Sequence, residues 1–265
     1  MNIDFPRGVS KQTRLHRVPA RLFSGGREVN PQRIVDWLAS GARAASQQPV
    51  LWLSVLLACA DFATLQGFLP LLSALAVLLI PFVVGGLMFV QDGASKGQPV
   101  SLRETFAALA RRSNALWVIG LYGAAILALG YVVLLAAFHV SLNASVTASG
   151  AHNLSVAYDG GHGVRGALES LLGASIFAIA IASTCFAPAL VMLHDMTPHD
   201  AMISSASGAA RNWPVMMTYF AALTVAVLFA TMVPLMLRAL VLTPLLVAVP
   251  LLSIYGAYRD VFVDR

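Results

Sequence analysis

Charged residues are scarce in this sequence. Only 11% of its 265 residues are Asp, Glu, Lys or Arg, whereas 58% are hydrophobic. A soluble domain carries about 25% charged residues, which cover its surface. The shortage of charge therefore argues against a water-soluble globule and indicates that lipid is the main solvent of the chain.

Cysteine and catalytic sequence motifs are also scarce. The two cysteines, Cys59 and Cys185, lie far apart inside apolar runs. We therefore expect neither a disulfide framework nor a CxxC metal site. The chain contains no HExxH, GxSxG or Walker-type phosphate-binding motif. We therefore predict a protein that is not an enzyme and that has no catalytic residues and no cofactor.

Two His-Asp pairs are the nearest approach to a metal site in the sequence. They are His194-Asp195 and His199-Asp200. Residues five apart do not share a helix face, and Pro198 between the pairs interrupts a helix. Helix capping by Thr197 and Asp200 explains the second pair without a metal, so we predict no metal site.

Long apolar runs, by contrast, are abundant. Between Leu51 and Val90 the only charged side chain is that of Asp61. A membrane span needs roughly 20 apolar residues, so this run predicts two spans joined by a tight turn. The predicted fold class is an all-α polytopic transmembrane helix bundle with six spans, of which the last two could instead be one long or re-entrant segment. The spans cover about 50–67, 69–90, 115–138, 171–193, 215–237 and 239–258.

Basic residues lie almost entirely on one side of these spans. Of the 17 Lys and Arg residues, only Arg165 and Arg238 fall on the side opposite the N-terminus. Because Lys and Arg are retained in the cytoplasm, we predict that both termini are cytoplasmic. Membrane orientation also explains the net charge of +5 more economically than a nucleic-acid partner does.

The chain divides into a polar N-terminal part and a membrane domain. Residues 1–29 are basic and lack helical periodicity, so we expect a disordered cytoplasmic tail that contacts anionic lipid. Residues 30–265 are predicted to form a single transmembrane domain. Its long outer loop, 139–170, is polar and Gly-rich, with a short strand expected near 154–158.

A unit of short helix, outward span and returning span recurs three times, as in internal-repeat proteins. The short helices have start signals at Asn30-Pro31, at Ser101–Glu104 and at Thr197–Asp200. We predict three helix-hairpin repeats, each preceded by a short interfacial helix; packing of these helices on the bundle from the cytoplasm is the alternative. Each returning span has a proline and ends near an aspartate; the pairs are Pro81 with Asp92, Pro188 with Asp195, and Pro250 with Asp260.

Several short motifs of the first three spans carry a family resemblance. They are Leu69-Pro70-Leu71-Leu72, Ile80-Pro81, Gly85–Met88, Gly93–Gly97 and Trp117–Tyr122. With these motifs the chain resembles a group of uncharacterised bacterial inner-membrane proteins of the YciC-like kind. The resemblance implies a six-span inner-membrane protein with no assigned activity, and it supplies no catalytic residues.

Three residues are candidates for a function inside the membrane: Asp61, Gln66 and Arg238. Asp61 lies about 18 Å of helix rise beyond Pro49, where a charge costs roughly 2.5–3.5 kcal/mol. It would relay protons or bind a cation, with Gln66 one turn further as a helper. The alternative is a structural acid near the outer interface, paired with Arg238.

Two classes of function remain open. The first is a non-enzymatic structural, assembly or envelope role, which sparse intramembrane polarity and short cytoplasmic loops favour. The second is a small transporter or channel that uses Asp61. The expected partner in either case is the lipid bilayer, together with a second copy or another membrane protein. Small residues such as Ala174, Ala178 and Ala182 favour close helix–helix contact, either within the bundle or between subunits.

Overall fold

The structure is a computed structural model that describes residues 22–23, 25–47, 71–98, 100–138, 141–146, 152–157, 164–234, 237–238 and 242–263. Helices make up most of this described part, with one two-stranded hairpin. In chain order the elements are α1 (Arg33–Gln47), α2 (Leu71–Ser95), α3 (Leu102–Arg111), α4 (Ser113–Phe138), β1 (Ser141–Val146), β2 (His152–Ala157), α5 (Val164–Thr184), α6 (Ala187–His194), α7 (Pro198–Arg211), α8 (Trp213–Thr231) and α9 (Thr243–Phe262).

Four helical stretches in the described residues are long and apolar enough to cross a membrane. They cover Val77–Ser95, Ser113–Ala136, Gly166–His194 and Trp213–Ala230. Their outward surfaces carry large apolar side chains, such as Leu129 on α4 at 66% exposure and Phe229 on α8 at 71%. Extensive apolar surface of this kind is unfavourable in water and typical of contact with lipid.

These four stretches coincide with the second to fifth predicted spans. The first predicted span, 50–67, lies outside the described residues. The sixth, 239–258, overlaps α9, which contains Pro250 and continues to Phe262. The count of six spans and the threefold repeat stay predictions.

The hairpin lies between α4 and α5 and is antiparallel, with Ser141 opposite Ala157 and Val146 opposite His152. Strand β2 occupies most of the segment where a short strand was predicted. Its partner β1, with the sequence Ser-Leu-Asn-Ala-Ser-Val, has few β-branched or aromatic residues and was not predicted. The all-α description therefore holds for the described residues except for this hairpin.

The buried core lies at one end of the bundle. The C-terminal halves of α2 and α9 meet α6 there, and the short helices α1 and α7 pack against them. This is the end that the distribution of Lys and Arg assigns to the cytoplasm. Core residues include Trp37, Met88, Ile119, Phe186, Leu190, Val215, Tyr258 and Phe262.

The break between α5 and α6 is stabilised by a serine from α7. Pro188 in the first turn of α6 cannot donate a backbone hydrogen bond to the preceding turn. Fully buried Ser205 spans the gap, because its Oγ accepts from the Phe186 N–H at 3.1 Å and donates to the Ala182 carbonyl at 2.7 Å. Ser205 of α7 thus bridges the Phe186 N–H and the Ala182 carbonyl, which would bond to each other in an unbroken helix, just before Pro188.

The predicted starts of the short helices are present at α3 and α7, whereas α1 begins at Arg33, two residues after the predicted first helical position, Pro31. Ser101 and Glu104 form a complete capping box at α3, and the hydrogen bonds that Ser101 donates to the carboxylate lower the pKa of Glu104. The Thr197 hydroxyl accepts from the Asp200 N–H at α7. Before α1, Asn30 Oδ1 accepts from the Gln32 N–H at 3.0 Å.

The junctions after α3 and α7 have the same geometry. One residue separates each short helix from the long helix that follows: Arg112 with φ −108° and ψ 8°, and Asn212 with φ −105° and ψ 25°. The N–H of each donates back to carbonyls of the short helix. Two of the three predicted units therefore share a local backbone shape.

Part of the N-terminal tail is structured. Leu22 forms an antiparallel bridge with Val263, and the Phe23 N–H donates to the Phe262 carbonyl at 3.0 Å. The Arg27 N–H donates to the Val261 carbonyl at 2.9 Å. The prediction of disorder for residues 1–29 is wrong for residues 22–23 and 25–29, because backbone pairing produces no side-chain periodicity. Residues 1–21 lie outside the described part.

Candidate functional site: a polar cleft at the end of the bundle

Asp260, near the end of α9, joins this helix to α1. Its side chain is buried, and Oδ2 accepts from Arg33 Nε at 2.9 Å and from Trp37 Nε1 at 2.7 Å. Oδ1 accepts from Arg33 Nη2 at 3.2 Å. Arg33 and Trp37 reach one carboxylate because residues four apart lie on one helix face. The buried charge is therefore paired and hydrogen-bonded.

Asn212, between α7 and α8, joins these helices to the N-terminal segment. It is buried, and its Oδ1 accepts from the Val29 N–H at 2.8 Å. Its Nδ2 donates to the carbonyls of Arg27 and Gly208, each at 2.8 Å. The neighbouring Arg211 donates from Nη1 to the Gly26 carbonyl at 2.6 Å. One amide side chain thus satisfies backbone groups that are distant in sequence.

Asp92, near the end of α2, connects this helix to α9. The Tyr255 hydroxyl donates to Asp92 Oδ1 at 3.2 Å, and Lys96 forms an ion pair with the same carboxylate. Ser95 Oγ and the Tyr255 hydroxyl are hydrogen-bonded at 2.8 Å. Nearby, His194 at the end of α6 is hydrogen-bonded through Nε2 to the Tyr258 hydroxyl.

The third aspartate of the sequence pattern, Asp195, ends α6. Its backbone is left-handed, with φ 57°, and its carboxylate pairs with Arg112. The three aspartates singled out at the ends of the returning spans therefore all lie at ends of helices, and each has a basic partner. Arg112 belongs to a separate pair, whereas Arg33 and Tyr255, which bond to Asp260 and Asp92, line one polar cleft.

A cleft of about 740 Å³ opens between α1, α2 and α9. Gln91 faces it from α2 with only 4% of its surface exposed, and within the described part of the chain neither polar atom of its side chain has a hydrogen-bond partner. Arg33, Arg43 and Arg259 supply basic groups, and Asp36 and Asp260 supply acidic ones. Ser40, Ser95 and Tyr255 complete the polar lining.

Comparison with known proteins does not assign this site. The chain matches no family model, no curated protein and no solved structure. The resemblance to the YciC-like group therefore stays a prediction.

The residues predicted to be functional are not those that form the cleft. Asp61 and Gln66 lie outside the described residues. Arg238 is half-buried in a short helical stretch after α8, where its N–H donates to the Pro234 carbonyl at 2.9 Å, and it does not line the cleft.

Sequence reasoning missed the three cleft residues that matter most, Gln91, Arg43 and Arg259. One signal was available: Gln91 directly precedes Asp92 at the polar end of an apolar helix. The burial of its amide depends on α1 and α9, which are distant in sequence. Among the described residues, no cluster of three His, Cys, Asp or Glu side chains is placed to hold a metal ion.

Proposed function

We propose that this chain is a polytopic integral protein of a bacterial inner membrane, with six spans, both termini in the cytoplasm and a non-enzymatic structural or assembly role. The four apolar helical stretches and their apolar outward surfaces support the membrane assignment. The charge distribution of the sequence supports the orientation.

One observation carries the structural role. Three buried polar side chains at the end of the bundle, those of Asp260, Asn212 and Ser205, join helices and the N-terminal segment to one another. Asp260 holds α1 against α9, Asn212 holds residues 27–29 against α7, and Ser205 holds α7 against the α5–α6 break. Such fully bonded networks rigidify a particular arrangement of helices. A rigid layer at the membrane surface suits a protein that supports or positions others.

Flux measurements on proteoliposomes test this role against transport. The full chain and an Asp61→Asn variant would be reconstituted, and the collapse of an imposed pH gradient followed with an internal dye. A structural protein is expected to give the same proton flux as protein-free vesicles, with no change in the variant. Flux well above the vesicle background that Asp61→Asn abolishes would contradict the structural role and establish the transporter.

A further inference from the structure

We propose that the cleft between α1, α2 and α9 binds a phosphate-bearing anion. The ligand is either the headgroup of an anionic phospholipid or a soluble phosphate compound. This inference goes beyond the structural role proposed above and does not depend on it, because it rests on the lining of the cleft alone.

The amide of Gln91 is the first argument. Buried polar groups in folded proteins are nearly always hydrogen-bonded, and an amide offers two N–H donors and one carbonyl acceptor. Among the described residues neither polar atom of Gln91 has a partner, and both are buried at the wall of the cleft. A bound ligand toward which the Gln91 side chain turns would accept from the amide nitrogen and satisfy it.

The charge balance of the cleft is the second argument. Both carboxylates in the described lining are already held by Arg33, which pairs with Asp36 at 2.7 Å and with Asp260 at 2.9 Å. Arg43 and Arg259 are exposed and line the same cleft, so among the described residues three guanidinium groups face two carboxylates there. Guanidinium groups bind phosphate through paired N–H donors.

This charge balance also favours an anion over the basic N-terminal segment, residues 1–21, as the occupant of the cleft. Residues 1–21 contain Arg7, Lys11, Arg14, Arg17 and Arg21 but a single acid, Asp4. A basic segment of this kind would be repelled by the uncompensated arginines of the cleft. A negatively charged ligand is attracted by them.

Size and position fit the same class of ligand. The volume of about 740 Å³ lies within the range of roughly 300–1,000 Å³ found for small-molecule sites. The cleft adjoins the last turns of the candidate span Val77–Ser95, which is the level of lipid headgroups. Anionic headgroups of the cytoplasmic leaflet attract basic residues at this level.

Binding to the purified full chain in an uncharged detergent tests the proposal. The probes are phosphatidylglycerol, phosphatidylcholine and inorganic pyrophosphate, with bound ligand counted by native mass spectrometry over a concentration series. The test variants are Arg43→Gln and Arg259→Gln, whose exposed side chains should not be needed for folding, together with Gln91→Leu. The matched control is Arg103→Gln, which removes the same charge from an exposed position on α3 outside the cleft.

We expect phosphatidylglycerol or pyrophosphate to bind, and each arginine variant to weaken that binding about tenfold, as the loss of one charge-assisted contact predicts. Arg103→Gln should leave it unchanged. Preference for phosphatidylglycerol over both other probes identifies a lipid headgroup, and binding of pyrophosphate identifies a soluble ligand. The proposal is overturned if neither anionic probe binds, if phosphatidylcholine binds equally well, or if the control weakens binding as much as the cleft variants.

Discussion

Replacing Asp260 by Ala should lower the free energy of unfolding by about 3–5 kcal/mol, the cost of breaking a buried ion pair by removing one partner. The carboxylate is buried and accepts from Arg33 and from Trp37 Nε1. Without it, the buried indole N–H and part of the guanidinium lose their acceptor. Because α1 packs extensively on α9, the loss should also loosen α1. Unfolding in mixed micelles, followed by circular dichroism, measures the change.

Asp36→Ala is the matched control for this prediction. Asp36 pairs with the same Arg33, at 2.7 Å, but its side chain is 59% exposed. An exposed ion pair contributes about 0–1 kcal/mol to stability, so the free energy of unfolding of this variant should be close to that of the unsubstituted chain. Equal losses in the two variants would contradict the account, since burial of Asp260 would then have no energetic consequence.

The second large effect is expected for Gly120→Val, where the backbones of α2 and α4 approach each other closely. A Cβ at position 120 would lie 2.7 Å from the Leu78 carbonyl oxygen and 3.0 Å from Leu78 Cα. These atoms belong to backbone, so the two helices must separate to admit a side chain. Overpacking costs typically 1–3 kcal/mol, and we expect about 3 kcal/mol here because no rotamer change relieves the clash.

Ala128→Val on the same helix provides the comparison for Gly120→Val. Ala128 is exposed, and a surface substitution of this kind usually changes stability by less than about 0.5 kcal/mol. Thermal unfolding of the two purified variants in one detergent would compare them directly. If the Gly120→Val and Ala128→Val variants unfold at the same temperature, α2 and α4 are less closely packed than the structure shows.

Features set by a few neighbouring residues could be predicted from the sequence. The capping residues Ser101 and Thr197 mark the starts of α3 and α7 because their hydroxyls bond to N–H groups three residues away. The predicted third span, 115–138, differs from α4 by two residues at its start. The agreement is close because the ends of an unbroken apolar run mark the ends of the helix.

Features that depend on distant contacts could not be predicted in this way. The polar break at Asn212 was evident in the sequence, but its hydrogen bonds to Arg27 and Val29 cross 185 and 183 positions. Similarly, Asp260 was recognised as the end of a span, whereas its pairing with Arg33 requires α1 to pack on α9. The only sequence signal for Gln91 was its position beside Asp92 at the polar end of an apolar helix, because the burial of its amide depends on the cleft that three separate helices enclose.

The central claim is that the helices cross a membrane and leave the polar cleft on its cytoplasmic side. The test uses a chain in which Cys59→Ser and Cys185→Ser remove the two cysteines and a single new cysteine replaces either Gln98 or Val164. Both positions are exposed, and helix α4 lies between them. A membrane-impermeant maleimide applied to intact spheroplasts should label position 164 at once and position 98 only after permeabilisation. Labelling of position 98 in intact spheroplasts, or of neither position before permeabilisation, would contradict the claim.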